Sequence, residues 1–366
     1  MWQNSKRSDK MNREDNFLET TNEKDILISF CLPVYNVKQF LEDCLKSIEG
    51  QNLEQNNISY EIFCIDDGSS DGSYEFLLEK AKTIPQLRVL KNEENKGVSY
   101  TRNRLTREAL GEYIWYVDPD DMLYPCVAEK LFDLAEKEKA DVLLGNYLKV
   151  KETVPYEEKD EINISEIEYC VPEIGDWSWL PDKKGESRMF SLWRGLFKRD
   201  FLIKNELFLN EKVVLMEDAL LYYEMKRKAP KIVKIEIVCY QVRQRAGSAM
   251  RSKGNDLKRI KKGYESSLEL VRVYKEYAYS FGEVEIEAEN RMKELFKSNI
   301  FALTKIKDFK YVRTKLKEMK ERKEYPEMLK KITSSSFKER ALFFLFRYTI
   351  CIYGFNVIYR LKTGIK

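Results

Sequence analysis

From Asp25 onward, short apolar runs alternate with segments whose apolar residues recur every three or four positions. Ile26 to Leu32 (ILISFCL) is a continuous run of strand length, stopped by Pro33. Asn36 then reads as the N-cap of a helix carrying Val37, Phe40, Leu41, Cys44, Leu45 and Ile48 on one face and ending near Gly50. Tyr60 to Ile65 is a second strand, followed by the polar turn Asp66 to Ser73 and a helix from Tyr74 to Lys82. Leu87 to Leu90 is a third strand, and a helix from about Ser99 to Leu110 closes at Gly111. Strand Tyr113 to Val117, the acidic turn Asp118-Pro119-Asp120-Asp121, helix Pro125 to Lys139 and strand Asp141 to Leu144 complete the series.

Such alternation predicts an α/β fold, a mostly parallel central sheet with helices on both faces. Ligands of these sheets bind outside the carboxyl ends of the strands, where both acidic turns fall. Residues 151 to 190 lose periodicity and read as loop, and regular structure resumes at Leu192 to Phe197 and in a helix after Glu217-Asp218. From about Asn255 the chain turns to long Lys/Glu-rich helices. The expected organisation is a flexible polar tail over 1–24, a catalytic domain over 25–255 and a helical C-terminal region over 256–366.

The acidic turns carry the candidate chemistry. Three carboxylates at 118, 120 and 121 repel one another, and a divalent cation removes the repulsion by using their oxygens as ligands. A cation there can bridge a diphosphate and neutralise the charge that develops as it leaves. The plainer alternative is an acidic turn punctuated by Pro119. An aspartate after a buried strand, such as Asp66 or Asp67, can accept from a base N–H, and Gly68 lets backbone approach closely. Asp71 or Ser73 also serves as a helix cap in that turn. Lys96, Arg102, Arg104 and Arg107 crowd the start of a helix, a position that favours phosphate. Arg102 is the candidate, while Arg104 and Arg107 read as a solvated basic face. Neither a GxGxxG after a strand nor a Walker A sequence is present, so a dinucleotide fold and a P-loop are not indicated.

Five motifs occur in order: Pro33-Val34-Tyr35-Asn36, the turn Asp66 to Ser73, Asn95 to Ser99 with Thr101-Arg102-Asn103, Gly111 to Ile114, and Asp118 to Asp121. Together they closely resemble the family 2 glycosyltransferases of bacterial surface polysaccharide synthesis, which have the GT-A fold. The likeness runs from about Asp25 to Arg251. It implies a nucleoside pocket lined by Pro33, Tyr35 and Asp66, with Asp67 nearby and Arg102 at the nucleotide. Asp118 and Asp120 would be the DxD pair, one on the ribose side and one on the metal, with Asp121 adjacent. The family usually has Ser where Pro119 stands, and Pro119 removes a backbone N–H. Met216-Glu217-Asp218 looks like the family's Glu-Asp motif, with Asp218 as general base and Glu217 as the fallback; two acids at a helix start also suit the dipole. Tyr240 to Ser248 resembles the segment that closes over the site, where Arg243 or Arg245 would contact diphosphate. Trp177 and Trp179 stand in the variable middle, as acceptor-stacking candidates or as packing anchors. The resemblance further implies an inverting hexosyl- or N-acetylhexosaminyltransferase, a nucleotide-diphosphate sugar donor (a UDP-sugar), a Mn²⁺ or Mg²⁺ cofactor, and a glycan or lipid-linked glycan acceptor.

Composition narrows the options. Histidine is absent, which excludes Ser-His-Asp and Cys-His nucleophile systems and His-ligated zinc, so proton transfer and metal contact fall to carboxylates. The seven cysteines are scattered among apolar neighbours without a CxxC pair, as in a reducing cytosol. The first 24 residues have no apolar run and predict no signal peptide. A net charge of +3 gives no argument for a nucleic acid polymer as partner. The charge is uneven: Thr304 to Lys331 holds eleven Lys/Arg against five Asp/Glu, and Ala341 to Tyr359 is apolar and aromatic but broken by Arg347. A central arginine argues against a clean span, so 337–366 reads as an interfacial helix drawn to an anionic membrane surface at the cytoplasmic face, or as a helix docked on the catalytic domain. Two rival functions stand beside this one. A sugar-1-phosphate nucleotidyltransferase would carry a Gly-rich loop after the first strand, and none follows Leu32. An inactive nucleotide-binding scaffold would have no need of intact acids at 118, 120 and 218.

Overall fold

A computed structural model describes residues 26–151, 169–170, 191–214, 216–228, 230–244, 257–279, 286–306 and 308–322. The expected polar tail, Trp177, Trp179, Arg245 and the segment 337–366 lie outside the described residues. In chain order the elements are β1 (Ile28–Val34), α1 (Lys38–Glu49), β2 (Tyr60–Asp66), α2 (Ser73–Lys80), β3 (Leu87–Lys91), α3 (Val98–Glu108) and β4 (Tyr113–Tyr116). There follow β5 (Met122–Leu123), α4 (Ala128–Glu138), β6 (Val142–Lys151), β7 (Tyr169–Cys170), β8 (Gly195–Lys198), α5 (Arg199–Lys204), α6 (Glu217–Arg227) and β9 (Ile232–Gln244). The remaining helices are α7 (Leu257–Tyr279), α8 (Ile286–Lys305) and α9 (Phe309–Glu321).

The strands form one sheet in the order β3-β2-β1-β4-β8-β6-β9-β5, with β7 on β9. Its first half is parallel throughout, β1 pairing with β2 and β4, and β2 with β3. Its second half is mixed, because β8 inserts antiparallel between β4 and β6. Gly195 permits that insertion, since a Cβ there would lie 1.9 Å from the Leu143 carbonyl oxygen. β9 runs parallel to β6 and then pairs antiparallel with β5, directly after the acidic turn.

β1 and β2 are buried at every position, as strands covered on both faces must be. One face packs Phe30, Leu32 and Trp115 against Phe40, Leu41, Leu45 and Ile48 of α1 and Leu131 and Ala135 of α4. Each large side chain buried there contributes about 1.5–3 kcal/mol relative to exposure. The other face packs Phe63, Ile114 and Tyr116 against Leu105 of α3, Phe201 of α5 and Leu221, Tyr222 and Met225 of α6. α3 and α6 therefore share one side of the sheet, and that places their charged residues together.

The expected cap of α1 is corrected. Val37 holds the N-cap position, and Asn36 takes a left-handed φ of 51° while its Oδ1 accepts from Ser70 N at 2.8 Å. The α1 entry is satisfied across the fold instead, Lys38 N donating to Asp71 Oδ2 and Val37 N to Ser73 Oγ.

The chain divides into two compact units, Met1–Glu211 with Glu217–Ser252 and Lys212–Met216 with Lys253–Lys366. The described residues of the second lie mostly in α7, α8 and α9. Tyr264, Leu268 and Val271 of α7, Met292, Phe296 and Ile300 of α8, and Val312, Leu316 and Met319 of α9 are buried. Asp308 caps α9 by accepting from Tyr311 N at 3.0 Å and pairs with Lys261 at 2.6 Å. Among the described residues, no helix is long and apolar enough to cross a membrane.

Candidate active site

The site forms at the carboxyl ends of β1, β2 and β4. Val34 and Asp66 sit opposite each other at the ends of their strands, and Pro33 lies in β1 opposite Ile65. Tyr35 follows, 48% exposed. Asp66 is fully buried; its Oδ2 accepts from Gly68 N and Ser69 N at 3.2 and 3.0 Å, and its Oδ1 has no hydrogen-bond partner. A buried acceptor without a donor is costly, and a ligand N–H would satisfy it.

Asp67 is engaged by its own chain. Oδ1 accepts from Asn92 Nδ2 and Lys96 N at 2.8 and 2.9 Å, and Oδ2 from Gly97 N at 2.8 Å. Its carboxylate therefore holds the 92–97 loop in front of α3. Gly68, at φ 77°, lets that loop pass close by, since a Cβ would lie 3.0 Å from Asn95 N.

Three successive residues of α3 then reach three different segments. Thr101 Oγ1 accepts from Asn92 Nδ2 at 3.0 Å. Asn103 accepts from Leu209 N at 2.7 Å and donates to Leu209 O and Glu211 Oε1. Between them Arg102, its side chain 6% exposed, donates from Nη2 to Asp118 Oδ1 at 2.8 Å and from Nη1 to Glu217 Oε1 and Asp218 Oδ1, each at 3.2 Å. Burial disfavours the guanidinium's charge, but Asp218, Asp118 and Glu217 outweigh it and hold its pKa above the ordinary value. Two expected roles, nucleotide-side Asp118 and base-side Asp218, thus meet on one cation. The sequence motifs mark each of these residues, and nothing in them marks the shared contact.

Burial pushes Asp218 up to about 7; Arg102 opposes the shift, while Glu217 and Asp118 add to it. Its Oδ2 accepts from Leu192 N at 3.3 Å. Glu217 is also raised, by burial first. The neighbouring Trp193 stacks on Tyr240 with ring centroids 4.7 Å apart, and the Tyr240 hydroxyl accepts from Asp118 N at 2.9 Å. Trp193 thus supports the site and was missed by sequence reasoning; Tyr240 stands in a segment already marked, but its stacking on a residue 47 positions away has no local signal.

Within the acidic turn, Asp121 N donates to Asp118 O at 2.9 Å. The Asp121 carboxylate accepts from Arg243 N at 2.7 Å and bonds the Tyr240 hydroxyl, and burial, then Asp120 and Asp118, raise its pKa well above the carboxylate range. The Arg243 guanidinium, expected at the diphosphate, donates to Asp43 Oδ2 at 3.0 Å and lies over the Phe40 ring. Arg104 pairs with Glu108 and bonds Asn92 Oδ1, and Arg107 lies over Phe208.

Among the described residues, no three His, Cys, Asp or Glu side chains converge as a cation cage. The turn nevertheless fits a metal held by one or two carboxylates together with ligand phosphates, as Mg²⁺ is commonly held. Asp118 keeps 29% of its side-chain surface and Asp120 is partly exposed, whereas Asp121 is buried.

The family model for glycosyl transferase family 2 matches residues 29–199. The glycosyltransferase GlyG of Streptococcus pneumoniae is 32% identical over 243 residues, 62% of this chain and 73% of its own. The chain belongs to glycosyl transferase family 2. This glycosyltransferase is also 26% identical over 222 residues to the uncharacterized glycosyltransferase EpsJ of Bacillus subtilis, covering 61% of itself and 62% of EpsJ. A crystal structure of S. aureus TarS 1–349 in complex with UDP-GlcNAc superposes with a TM-score of 0.51 at 18% identity, over 82% of this chain and 93% of that one. At such low identity the likeness speaks for the fold, which is GT-A. Family membership decides the reaction class in favour of glycosyl transfer over nucleotidyl transfer.

Proposed function

We propose that the protein is an inverting glycosyltransferase that moves a sugar from a UDP-sugar to a hydroxyl of a surface glycan or lipid-linked glycan. One observation carries the reading: the carboxylate of Asp218, mostly enclosed and with its pKa raised by burial, stands on the same guanidinium as Asp118 of the acidic turn. A proton acceptor poised near neutrality beside the donor turn suits activation of a hydroxyl. The acceptor oxygen attacks the anomeric carbon, its proton passes to Asp218, and the bond to the diphosphate breaks. Asp120 and Asp118 would hold Mn²⁺ or Mg²⁺, which supplies charge neutralisation for the departing diphosphate; Asp121 is left to hold β9 against the turn. The unpartnered Asp66 Oδ1 suits the N–H on the edge of uracil, and Pro33 and Tyr35 stand on either side of its strand partner Val34 in the chain. The relative whose crystal structure contains UDP-GlcNAc supports the same donor class. The basic, apolar C-terminal sequence supports attachment to the inner face of the cell membrane.

A panel of nucleotide sugars with Mn²⁺, read by released nucleotide diphosphate, tests the reading. Slow hydrolysis of a UDP-sugar by the wild type, lost in Asp120→Ala, is the expected result. No release from any donor, or equal release by Asp120→Ala, would refute it.

A further inference from the structure

The contacts of Arg102 exceed what nucleotide binding requires. Its two terminal nitrogens point to different parts of the chain, Nη2 to the turn after β4 and Nη1 to the first two residues of α6. The residue itself is fixed: Thr106 Oγ1 donates to the Arg102 carbonyl at 2.8 Å, and Thr101 and Asn103 anchor α3 on either side. A cluster of one buried cation and three partly buried carboxylates is a poor way to stabilise a fold, because desolvating the charges offsets their attraction. The arrangement makes sense as geometry.

We infer that Arg102 is a positioning residue that sets the separation between the donor turn and the proton acceptor, through Nη2 on Asp118 and Nη1 on Glu217 and Asp218. The inference rests on the reading of Asp218 as general base. A planar fork can hold two segments at a defined spacing, whereas an ammonium is a point charge and cannot. Donor binding alone brings the sugar to the turn. The acceptor hydroxyl must then lie between the anomeric carbon and Asp218, and misplacement by about 1 Å can cost about a hundredfold in rate.

Arg102→Lys separates charge from geometry, since it keeps the cation among the three carboxylates and removes the fork. The expected result is a loss of about a hundredfold in kcat, with the donor KM and the calorimetric Kd for UDP within about threefold of wild type. Residues that act as one unit lose activity non-additively, so Arg102→Lys combined with Asp218→Asn should be no slower than Asp218→Asn alone. Glu217→Gln is a second probe that loosens the hold on α6 while leaving Arg102 and Asp218 in place. It should lower kcat by a smaller factor and leave UDP affinity intact, and it serves if Arg102→Lys lacks a cooperative thermal transition. Wild-type kcat in both variants would overturn the inference. So would a loss confined to UDP affinity, which would return Arg102 to the nucleotide, or a loss additive with Asp218→Asn. Wild-type turnover in Asp218→Asn alone would instead remove the base assignment and leave the contacts of Arg102 to be explained otherwise.

Discussion

At the scale of single residues, the absence of histidine leaves carboxylates as the proposed proton acceptors, and burial raises one of them, Asp218, toward neutrality. Asp218 must be ionised to accept a proton, so kcat should fall with unit slope on the acid side of a midpoint no higher than about 7 and level off above it. A bound cation near Asp118 acts in the same direction as Arg102 and moves that midpoint down. The measurement is kcat against pH at saturating donor; Asp218→Asn should retain under about 1% of the rate and show no such limb. The shift also carries a stability consequence. The folded state keeps a proton on Asp218 that the unfolded chain releases near 3.8, so this group's contribution to stability declines as pH rises from there to about 7.

At the scale of elements, most of the parallel half of the sheet was legible. The runs at Ile26 to Leu32 and Tyr60 to Ile65 are too apolar and too short for anything but covered strands, and the helix that follows Asn36 shows its buried face at helical spacing. In the mixed half Asp141 to Leu144 and Leu192 to Phe197 were marked as regular structure, but their pairing was not, because β8 enters antiparallel by long-range contacts whose one local trace is Gly195. Caps failed for a similar reason: Asn36 has the chemistry of an N-cap, but its acceptor is used by Ser70 from another turn. The site residues could be named singly from their motifs, yet a contact between Arg102 and Asp218 spans 116 positions and has no pattern in the chain. Asn103 gives an element-level test. Its amide is the buried clamp between α3 and Leu209, so Asn103→Ala should lower unfolding stability by about 1–3 kcal/mol, read from the urea midpoint at unchanged slope.

At the scale of the whole molecule, the α/β unit carries every described residue assigned to the chemistry, and the helical unit carries an excess of basic side chains. Residues 337 to 366 join apolar and aromatic side chains to basic flanks. Protein lacking them should leave the pellet when sedimented with vesicles containing anionic lipid, while the full chain stays bound at low salt and is released at high salt. Continued sedimentation of the truncated protein would place membrane attachment elsewhere.

The carboxylate of Asp67 has a further consequence for how a donor arrives. It accepts from the backbone amides of Lys96 and Gly97, so the chain's own hydrogen bonds tie down the 92–97 loop beside the proposed nucleotide pocket. Under the proposed function, the ordering entropy of that loop would already be met before a sugar nucleotide arrives, so entry at this edge would need no closing step. A donor bound as proposed would meet this edge as a template already set by the chain's own hydrogen bonds.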